Sequence, residues 1–98
     1  MIVYIAGKIS GVKDYKQEFQ KAEERLTAMG HTVLNPTILP EGLNDWSYLP
    51  ICMAMIEQAD MVYLLDNWQD SEGATIERKY AIYQGKLVVD AFELVGLE

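Results

Sequence analysis

The sequence is poor in cysteine and in positive charge. Its single cysteine, Cys52, excludes an internal disulfide and favours a reducing compartment. It has 8 basic and 15 acidic residues, and no lysine or arginine occurs between Arg25 and Arg78. Without a basic stripe, duplex nucleic acid is not the partner we expect. A small anion remains open as a ligand, because one lysine and a few backbone N–H groups suffice to bind it.

Signals for membranes and metals are also missing. No apolar run reaches the roughly 20 residues that span a bilayer, and the N-terminal residues lack the pattern of a signal peptide. No group of His, Cys, Asp or Glu has metal-ligand spacing. We therefore expect a cytoplasmic protein with no membrane partner, no metal and no cofactor.

The chain does contain a regular alternation of short apolar runs and helical patterns. Ile2–Ala6 is a continuous apolar run, typical of a strand buried on both faces. The next segment repeats apolar residues at steps of four and three, which is one face of a helix that starts after Asp14 and ends at Gly30. Further strands are predicted at 31–34, 60–66 and 87–89, and further helices at Trp46–Ala59 and at 71–85.

This order predicts a single domain over residues 1–98 with a three-layer α/β/α fold. The simplest flavodoxin-like or Rossmann-like arrangement is a parallel sheet of four strands in the order 2-1-3-4. Ser47 is the candidate cap of the Trp46–Ala59 helix, with Pro50 in its first turn. The tail Ala91–Glu98 is either a fifth, edge strand or a docked end.

The predicted strand order places a ligand crevice between the first and third strands, where the order reverses. The loop Gly7–Gly11 and the segment Asp66–Gly73 would line this crevice. Ser71 is a good N-cap for the following helix, and Glu77 lies about one and a half turns into that helix with small alanines on its own face.

Each of these features also has a structural interpretation. Gly7–Gly11 is either a tight turn or a phosphate-binding loop with Lys8 as the anion partner. Glu77 is either a surface glutamate or a carboxylate that faces a cavity. Trp68 is either a lid packed on the core or a platform for a base. Cys52 lies in an apolar helix without a second cysteine, which favours inert burial.

The most distinctive motifs lie at the start and in the second half of the chain. They are Tyr4-Ile-Ala-Gly7 with Gly11 shortly after, and Trp68-x-x-Ser71-x-Gly73-Ala-x-x-Glu77, followed by Gly85-Lys-x-Val-Val. In this context they resemble the nucleoside 2-deoxyribosyltransferase superfamily, in particular small phage and bacterial members catalogued as a domain of unknown function. The resemblance covers most of the chain. It implies a small-molecule nucleoside or nucleotide ligand and chemistry at the N-glycosidic bond.

The resemblance also implies roles for individual residues. Glu77 matches the nucleophilic glutamate, and Tyr4 matches a tyrosine that positions this glutamate or the sugar. The loop that holds a 5′-phosphate in the nucleotide N-glycosidase branch corresponds to Gly7, Lys8, Ile9, Ser10 and Gly11, and two residues near that phosphate correspond to Ser71 and Gly73. An acid such as Asp66 or Asp70 is a candidate to protonate the leaving base.

Two positions depart from the pattern of active relatives. Cys52 stands where they carry an aspartate, and Ser10 stands where the phosphate loop of the glycosidases carries an arginine. Three hypotheses therefore stay open: an N-glycosidase or deoxyribosyltransferase, a non-catalytic binder of nucleotides or nucleotide signals, and a scaffold that works through the apolar Trp46–Ala59 helix. For that helix we expect a role in a homodimer or larger assembly, because its apolar residues cover most of its circumference.

Overall fold

Four parallel strands form the centre of the structure, a computed structural model that describes residues 1–97. The strands are β1 (Ile2–Ala6), β2 (Thr32–Leu34), β3 (Met61–Leu64) and β4 (Leu87–Asp90), in the order β2-β1-β3-β4. In the central pair, Tyr4 lies opposite Val62 and Ala6 lies opposite Leu64. The predicted α/β fold and the predicted strand order are confirmed.

Helices cover both faces of the sheet. They are α1 (Tyr15–Ala28), α2 (Asp45–Gln58), α3 (Glu72–Tyr83) and α4 (Ala91–Val95), with single 3-10 turns at Pro36–Ile38 and Trp68–Asp70. α1 and α4 pack on one face, and α2 and α3 pack on the other. None of the helices within residues 1–97 combines the length and apolarity needed to cross a membrane.

Of the two alternatives predicted for the tail, an edge strand and a docked end, the described residues contradict the edge strand. The segment after β4 turns directly into α4. Asp90 accepts a hydrogen bond from the Glu93 N–H at 2.8 Å, and the Glu93 carboxylate accepts one from the Asp90 N–H at 3.2 Å. This reciprocal capping box satisfies the free donors of a helix start and favours a helix over an edge strand. Glu98, the last residue of the predicted tail, lies outside the described residues.

The start of α2 also differs from the prediction. Asn44, not Ser47, is the cap: its side-chain oxygen accepts the Ser47 N–H at 2.9 Å. The helix therefore begins at Asp45, and Pro50 falls inside it rather than in its first turn. Asp14 precedes α1 as predicted, but its side chain makes no capping bond. The Ser71 cap of α3 is confirmed, with its hydroxyl oxygen accepting the Ala74 N–H at 3.0 Å.

The alternation of side chains along β1 divides the core into two clusters. Val3 and Ile5 point to the α1 and α4 side, where they pack with Phe19 and Leu26. Tyr4 points to the α2 and α3 side, in a cluster that includes Cys52, Ile56 and several alanines. The Tyr4 hydroxyl therefore lies in the second of these clusters, on the α2 and α3 side of the sheet.

Candidate active site

A crevice of about 490 Å³ opens at the carboxyl end of β1. Its walls are the loop after β1, the first half of α2, the turn before α3 and the first half of α3. Most of the predicted site residues line it: Tyr4, Gly7, Lys8, Ile9, Ser10, Ser71, Gly73 and Glu77. The two loops predicted to converge do so, because strands β1 and β3 are neighbours and parallel.

A buried carboxyl group lies at the bottom of this crevice. Glu77 is 9% exposed, and its Oε1 accepts a hydrogen bond from the Tyr4 hydroxyl at 3.0 Å. The Cys52 thiol of α2 also interacts with the Tyr4 hydroxyl and the Glu77 carboxyl. Three side chains from β1, α2 and α3 therefore meet at one point. Cys52 is buried, as the sequence indicated, but it lies against the candidate site and not in an inert part of the core.

Burial controls the ionisation of this group. Desolvation raises the pKa of Glu77 from its ordinary value of 4.5 to about 7, although hydrogen bonds from Tyr4 and Cys52 lower it in part. Desolvation likewise raises the pKa of Cys52 to about 11 and that of Tyr4 well above 10.0. At neutral pH the tyrosine and the thiol are thus neutral donors, and Glu77 is the group that exchanges a proton.

The loop after β1 is held close to the sheet. A side chain at Gly7 would place its Cβ 2.6 Å from the Leu65 side chain, so only glycine fits there without a shift. The Lys8 N–H donates to the Asn67 side-chain oxygen at 3.0 Å, which ties this loop to the segment after β3. The Lys8 ammonium has no ion-pair partner within residues 1–97. It is available to a ligand.

The start of α3 offers further donors. The Ser71 hydroxyl accepts the Ala74 N–H. The N–H groups of Glu72 and Gly73 precede the first hydrogen bonds within the helix and have no acceptor in it. A Cβ built on Gly73 meets no atom closer than the Ser71 hydroxyl at 3.9 Å. Gly73 is therefore not required by local packing, and its lack of a side chain leaves room in the crevice for a ligand.

Three predicted residues do not line the crevice: Gly11, Asp66 and Trp68. Gly11 is an exposed turn residue with φ 77°, and Asp66 is exposed. The Trp68 ring lies 5.0 Å from the Arg78 guanidinium, in a separate depression bounded by α3 and β4. The short 3-10 turn directs the indole to that side of α3. Trp68 therefore packs against Arg78 and does not lie in the crevice, where it could have stacked on a base.

The sequence analysis missed one wall of the crevice. Three aromatic side chains of this wall are Tyr15, Trp46 and Tyr48, and acidic side chains near it are Glu41 and Asp45. The predicted strand order could have revealed this wall. Because β1 and β2 are parallel neighbours, the loop that follows β2 leaves the sheet at the same carboxyl edge as the loop that follows β1. Within residues 1–97, no group of three His, Cys, Asp or Glu side chains is arranged to hold a metal ion.

Comparisons with known proteins agree with the fold. Residues 1–90 match the family described as "Domain of unknown function (DUF4406)". A search of curated proteins found no match. The predicted resemblance to nucleoside 2-deoxyribosyltransferases is confirmed by solved structures.

Three solved structures illustrate this likeness. The 2-deoxyribosyltransferase of the psychrotolerant bacterium Bacillus psychrosaccharolyticus superposes with a TM-score of 0.72 at 25% identity, over 92% of this chain and 71% of that one. A 2-deoxyribosyltransferase from Leishmania mexicana gives 0.72 at 17%, over 91% and 62%. The CMP N-glycosidase of Clostridium botulinum gives 0.63 at 17%, over 92% and 70%. The two matches at 17% identity show a shared fold.

Proposed function

We propose that this chain, which belongs to the DUF4406 family, breaks or transfers the N-glycosidic bond of a nucleoside or of its 5′-monophosphate, with Glu77 as the nucleophile. One observation carries the proposal: a carboxyl group buried at the bottom of an open crevice. Its Oε1 accepts the Tyr4 hydroxyl, and the Cys52 thiol is its other hydrogen-bond partner within residues 1–97. The likeness to a 2-deoxyribosyltransferase and to a CMP N-glycosidase supports the reaction class.

The chemistry suits this arrangement. Cleavage of an N-glycosidic bond develops positive charge on the sugar, which a nearby carboxylate stabilises and then traps as a covalent intermediate. A pKa of about 7 leaves much of Glu77 ionised at neutral pH and keeps the carboxylate basic enough to be a good nucleophile. Attack by water on the intermediate makes a hydrolase, and attack by a second base makes a transferase.

The other crevice residues support binding and orientation. Tyr4 holds Oε1 of a carboxyl group that lines the crevice, which sets the orientation of Glu77 for attack on the anomeric carbon. Lys8, Ile9 and Ser10 in the loop after β1 and the N–H groups at the start of α3 surround the position where the 5′ end of the sugar would lie. Trp68 contributes through its stack with Arg78, which holds the segment Trp68–Asp70 against α3.

Release of free base tests this function. The wild type is incubated with a panel of ribo- and deoxyribonucleosides and their 5′-monophosphates, and free base is measured by chromatography. Replacement Glu77→Gln removes the nucleophile and should lower the rate by about a thousandfold or more. Glu24→Gln, at an exposed glutamate of α1, is the matched control and should leave the rate unchanged. No release by the wild type, or equal release by Glu77→Gln, would contradict the proposal.

A specific observation favours a second candidate, a non-catalytic nucleotide binder. The side chains that touch Glu77 are a tyrosine and a thiol, and no second carboxyl group interacts with it in the described part of the chain. The binder predicts a calorimetric titration with a nucleoside or nucleotide, followed by recovery of the ligand unaltered. Binding of no nucleoside or nucleotide would rule this candidate out.

We also propose that a second copy of the chain packs on α2. The large apolar side chains exposed on this helix are Ile51 at 38% and, at the start of the helix beside the crevice, Trp46 at 83%. Sedimentation at micromolar concentration should show a dimer or larger species that Ile51→Glu weakens. Ile82→Glu is the matched control, because Ile82 on α3 is also an exposed isoleucine, at 50%. A monomeric wild type, or dissociation by Ile82→Glu alone, would contradict this assignment.

A further inference from the structure

The crevice carries an excess of negative charge around its mouth. Besides Glu77, it is lined by Glu41, Asp45, Asp70 and Glu72, against the single cation Lys8. The Lys16 ammonium lies 3.2 Å from the Glu41 carboxylate and offsets that charge. The other three are exposed carboxylates without an ion pair within residues 1–97. They give the crevice a negative potential that attracts cations and repels a phosphate dianion.

The aromatic wall offers ring surfaces in place of further hydrogen-bond donors. The Tyr15 hydroxyl donates to the Glu41 carboxylate at 2.9 Å, and the Tyr48 hydroxyl donates to the Pro40 carbonyl. Both hydroxyls are therefore committed to the protein. Trp46, next to them, is 83% exposed. Aromatic faces attract cations. The Lys16 ammonium already lies 6.0 Å from the centre of the Tyr15 ring, so Tyr48 and Trp46 are the rings of this wall left for a ligand.

The buried part of the site lacks a proton donor for a departing base, because Asp70, the candidate acid that lines the crevice, is exposed at its mouth. A neutral base leaves the sugar as an anion unless an acid protonates it. The groups next to Glu77 are the Tyr4 hydroxyl and the Cys52 thiol, and burial raises the pKa of both, that of Cys52 to about 11. Neither is an effective acid at neutral pH. A base that already carries a positive charge needs no such acid.

We propose that the preferred substrate is a nucleoside whose base carries a positive charge, such as an N-alkylated purine or a pyridinium. This inference rests on the proposed function of the same site. The Glu77 carboxylate forms a bond to the anomeric carbon as the bond to the ring nitrogen breaks, and the electron pair of that bond neutralises the base, which departs without a proton. Water then attacks the anomeric carbon, the ester bond to Glu77 breaks, and the free sugar, the regenerated carboxylate and one proton are the remaining products.

The test compares ligands that differ in charge and little else. At pH 6 and low salt, the affinity of the wild type is measured by calorimetry for guanosine, 7-methylguanosine and 1-methylguanosine. The second ligand is cationic, and the third carries an extra methyl group without the charge. We expect 7-methylguanosine to bind at least about tenfold more tightly than either neutral nucleoside, and added salt to reduce this ratio.

A variant assigns the preference to the crevice. The double replacement Asp70→Asn, Glu72→Gln keeps the shape of both side chains and removes two charges, so the affinity ratio should fall to about threefold or less. The 5′-monophosphates should bind this variant more tightly than they bind the wild type. The Glu24→Gln control, on α1, should keep the wild-type ratio.

The outcomes separate this inference from the proposed function. Equal affinity for charged and neutral nucleosides, a preference that survives the double replacement, or no binding of any nucleoside would overturn the inference. If the affinities are equal but the wild type releases base from neutral nucleosides in a Glu77-dependent way, the proposed function stands and the substrate inference falls. A tenfold preference that the double replacement abolishes supports the inference for binding, and a wild type that releases no base from 7-methylguanosine would overturn it for cleavage.

Discussion

The two faces of the sheet bury different kinds of side chain. On the α1 and α4 face, the core is formed by large apolar residues, among them Val3, Ile5, Phe19 and Leu26. On the α2 and α3 face, the core contains Tyr4, Cys52 and four alanines besides Ile56, Val62 and Leu64, with the Glu77 carboxyl beside them. The first face is organised for apolar packing. The second leaves space and polarity next to a crevice.

This difference has an energetic consequence. If the pKa of a group is one unit higher or lower in the folded state than in the unfolded state, the unfolding free energy changes by about 1.4 kcal/mol between the protonated and the ionised form. Raising the pKa of Glu77 from 4.5 to about 7 therefore costs the folded protein roughly 3 kcal/mol of stability above neutral pH. Apolar burial in both clusters offsets that cost, and the α1 and α4 face contributes to it without burying a carboxyl group.

The largest expected effect on stability comes from the apolar face. Phe19 is 0% exposed, and Phe19→Ala should lower the free energy of unfolding by about 3–5 kcal/mol through lost burial and a cavity. Urea denaturation measures this loss. The neighbouring replacement Gln20→Ala, at an exposed position, should change it by less than about 0.5 kcal/mol. If Phe19→Ala and Gln20→Ala both had a small effect on the unfolding free energy, packing on this face would not be a main source of stability.

The second effect is a pH dependence that comes from Glu77. Between pH 4.5 and about 7 the folded state keeps a proton that the unfolded state has released, so stability falls as pH rises through this window and is constant above it. Glu77→Gln stays neutral throughout. Compared with this variant, the wild type should be equally stable at pH 4 and roughly 3 kcal/mol less stable at pH 8. A difference that does not vary with pH would show that Glu77 is not buried as described.

The third effect separates the two buried tyrosines. Tyr4→Phe removes the donor that lowers the pKa of Glu77, so that pKa should rise above its value of about 7. If base release is observed, its acid limb should move to higher pH, with a rate at pH 7 lower by about tenfold. Tyr63 is also buried, but it packs on the α1 face. Tyr63→Phe should leave the pH profile in place, and an equal shift in both variants would contradict a specific role for Tyr4.

The smallest effect concerns the two serines first considered as helix caps. Ser71 accepts the Ala74 N–H at the start of α3, so Ser71→Ala should cost about 1 kcal/mol of unfolding free energy. Ser47 caps nothing, since Asn44 is the cap of α2, and Ser47→Ala should cost only a few tenths. Thermal or urea unfolding distinguishes the two values. Equal losses of unfolding free energy in the two variants would mean that the Ser71 hydroxyl does not stabilise the start of α3.

Local patterns were enough for most of the fold. The apolar run of β1, the four-and-three spacing of α1, the Ser71 cap and the order of elements lead directly to a parallel sheet in the order that is observed. Those patterns work because periodicity and capping depend on residues within a few positions of one another. The prediction of the α2 cap was wrong because two local solutions compete at Asn44 and Ser47, and the tail was left open between an edge strand and a docked end because its pattern is weak.

The candidate site was only partly predictable for a different reason. Sequence proximity placed Trp68 beside Ser71, yet a single 3-10 turn directs its ring to Arg78 on the other side of α3. The aromatic wall from Tyr15 to Tyr48 was missed because its members belong to α1 and α2, which converge only when the loop after β2 folds over the sheet edge. Side-chain direction and the packing of loops are not encoded in short-range patterns.

The sequence by itself determined the alternating strands and helices, their parallel order and the presence of Glu77 on the helix that follows the polar loop. Only the tertiary structure decided that the Tyr4 hydroxyl donates to Glu77 at 3.0 Å, that Cys52 shares their pocket and that burial brings the carboxyl pKa to about 7. The physical reason is that secondary structure follows from local hydrogen bonding and hydrophobic period, while desolvation arises only when residues distant in the chain exclude water together.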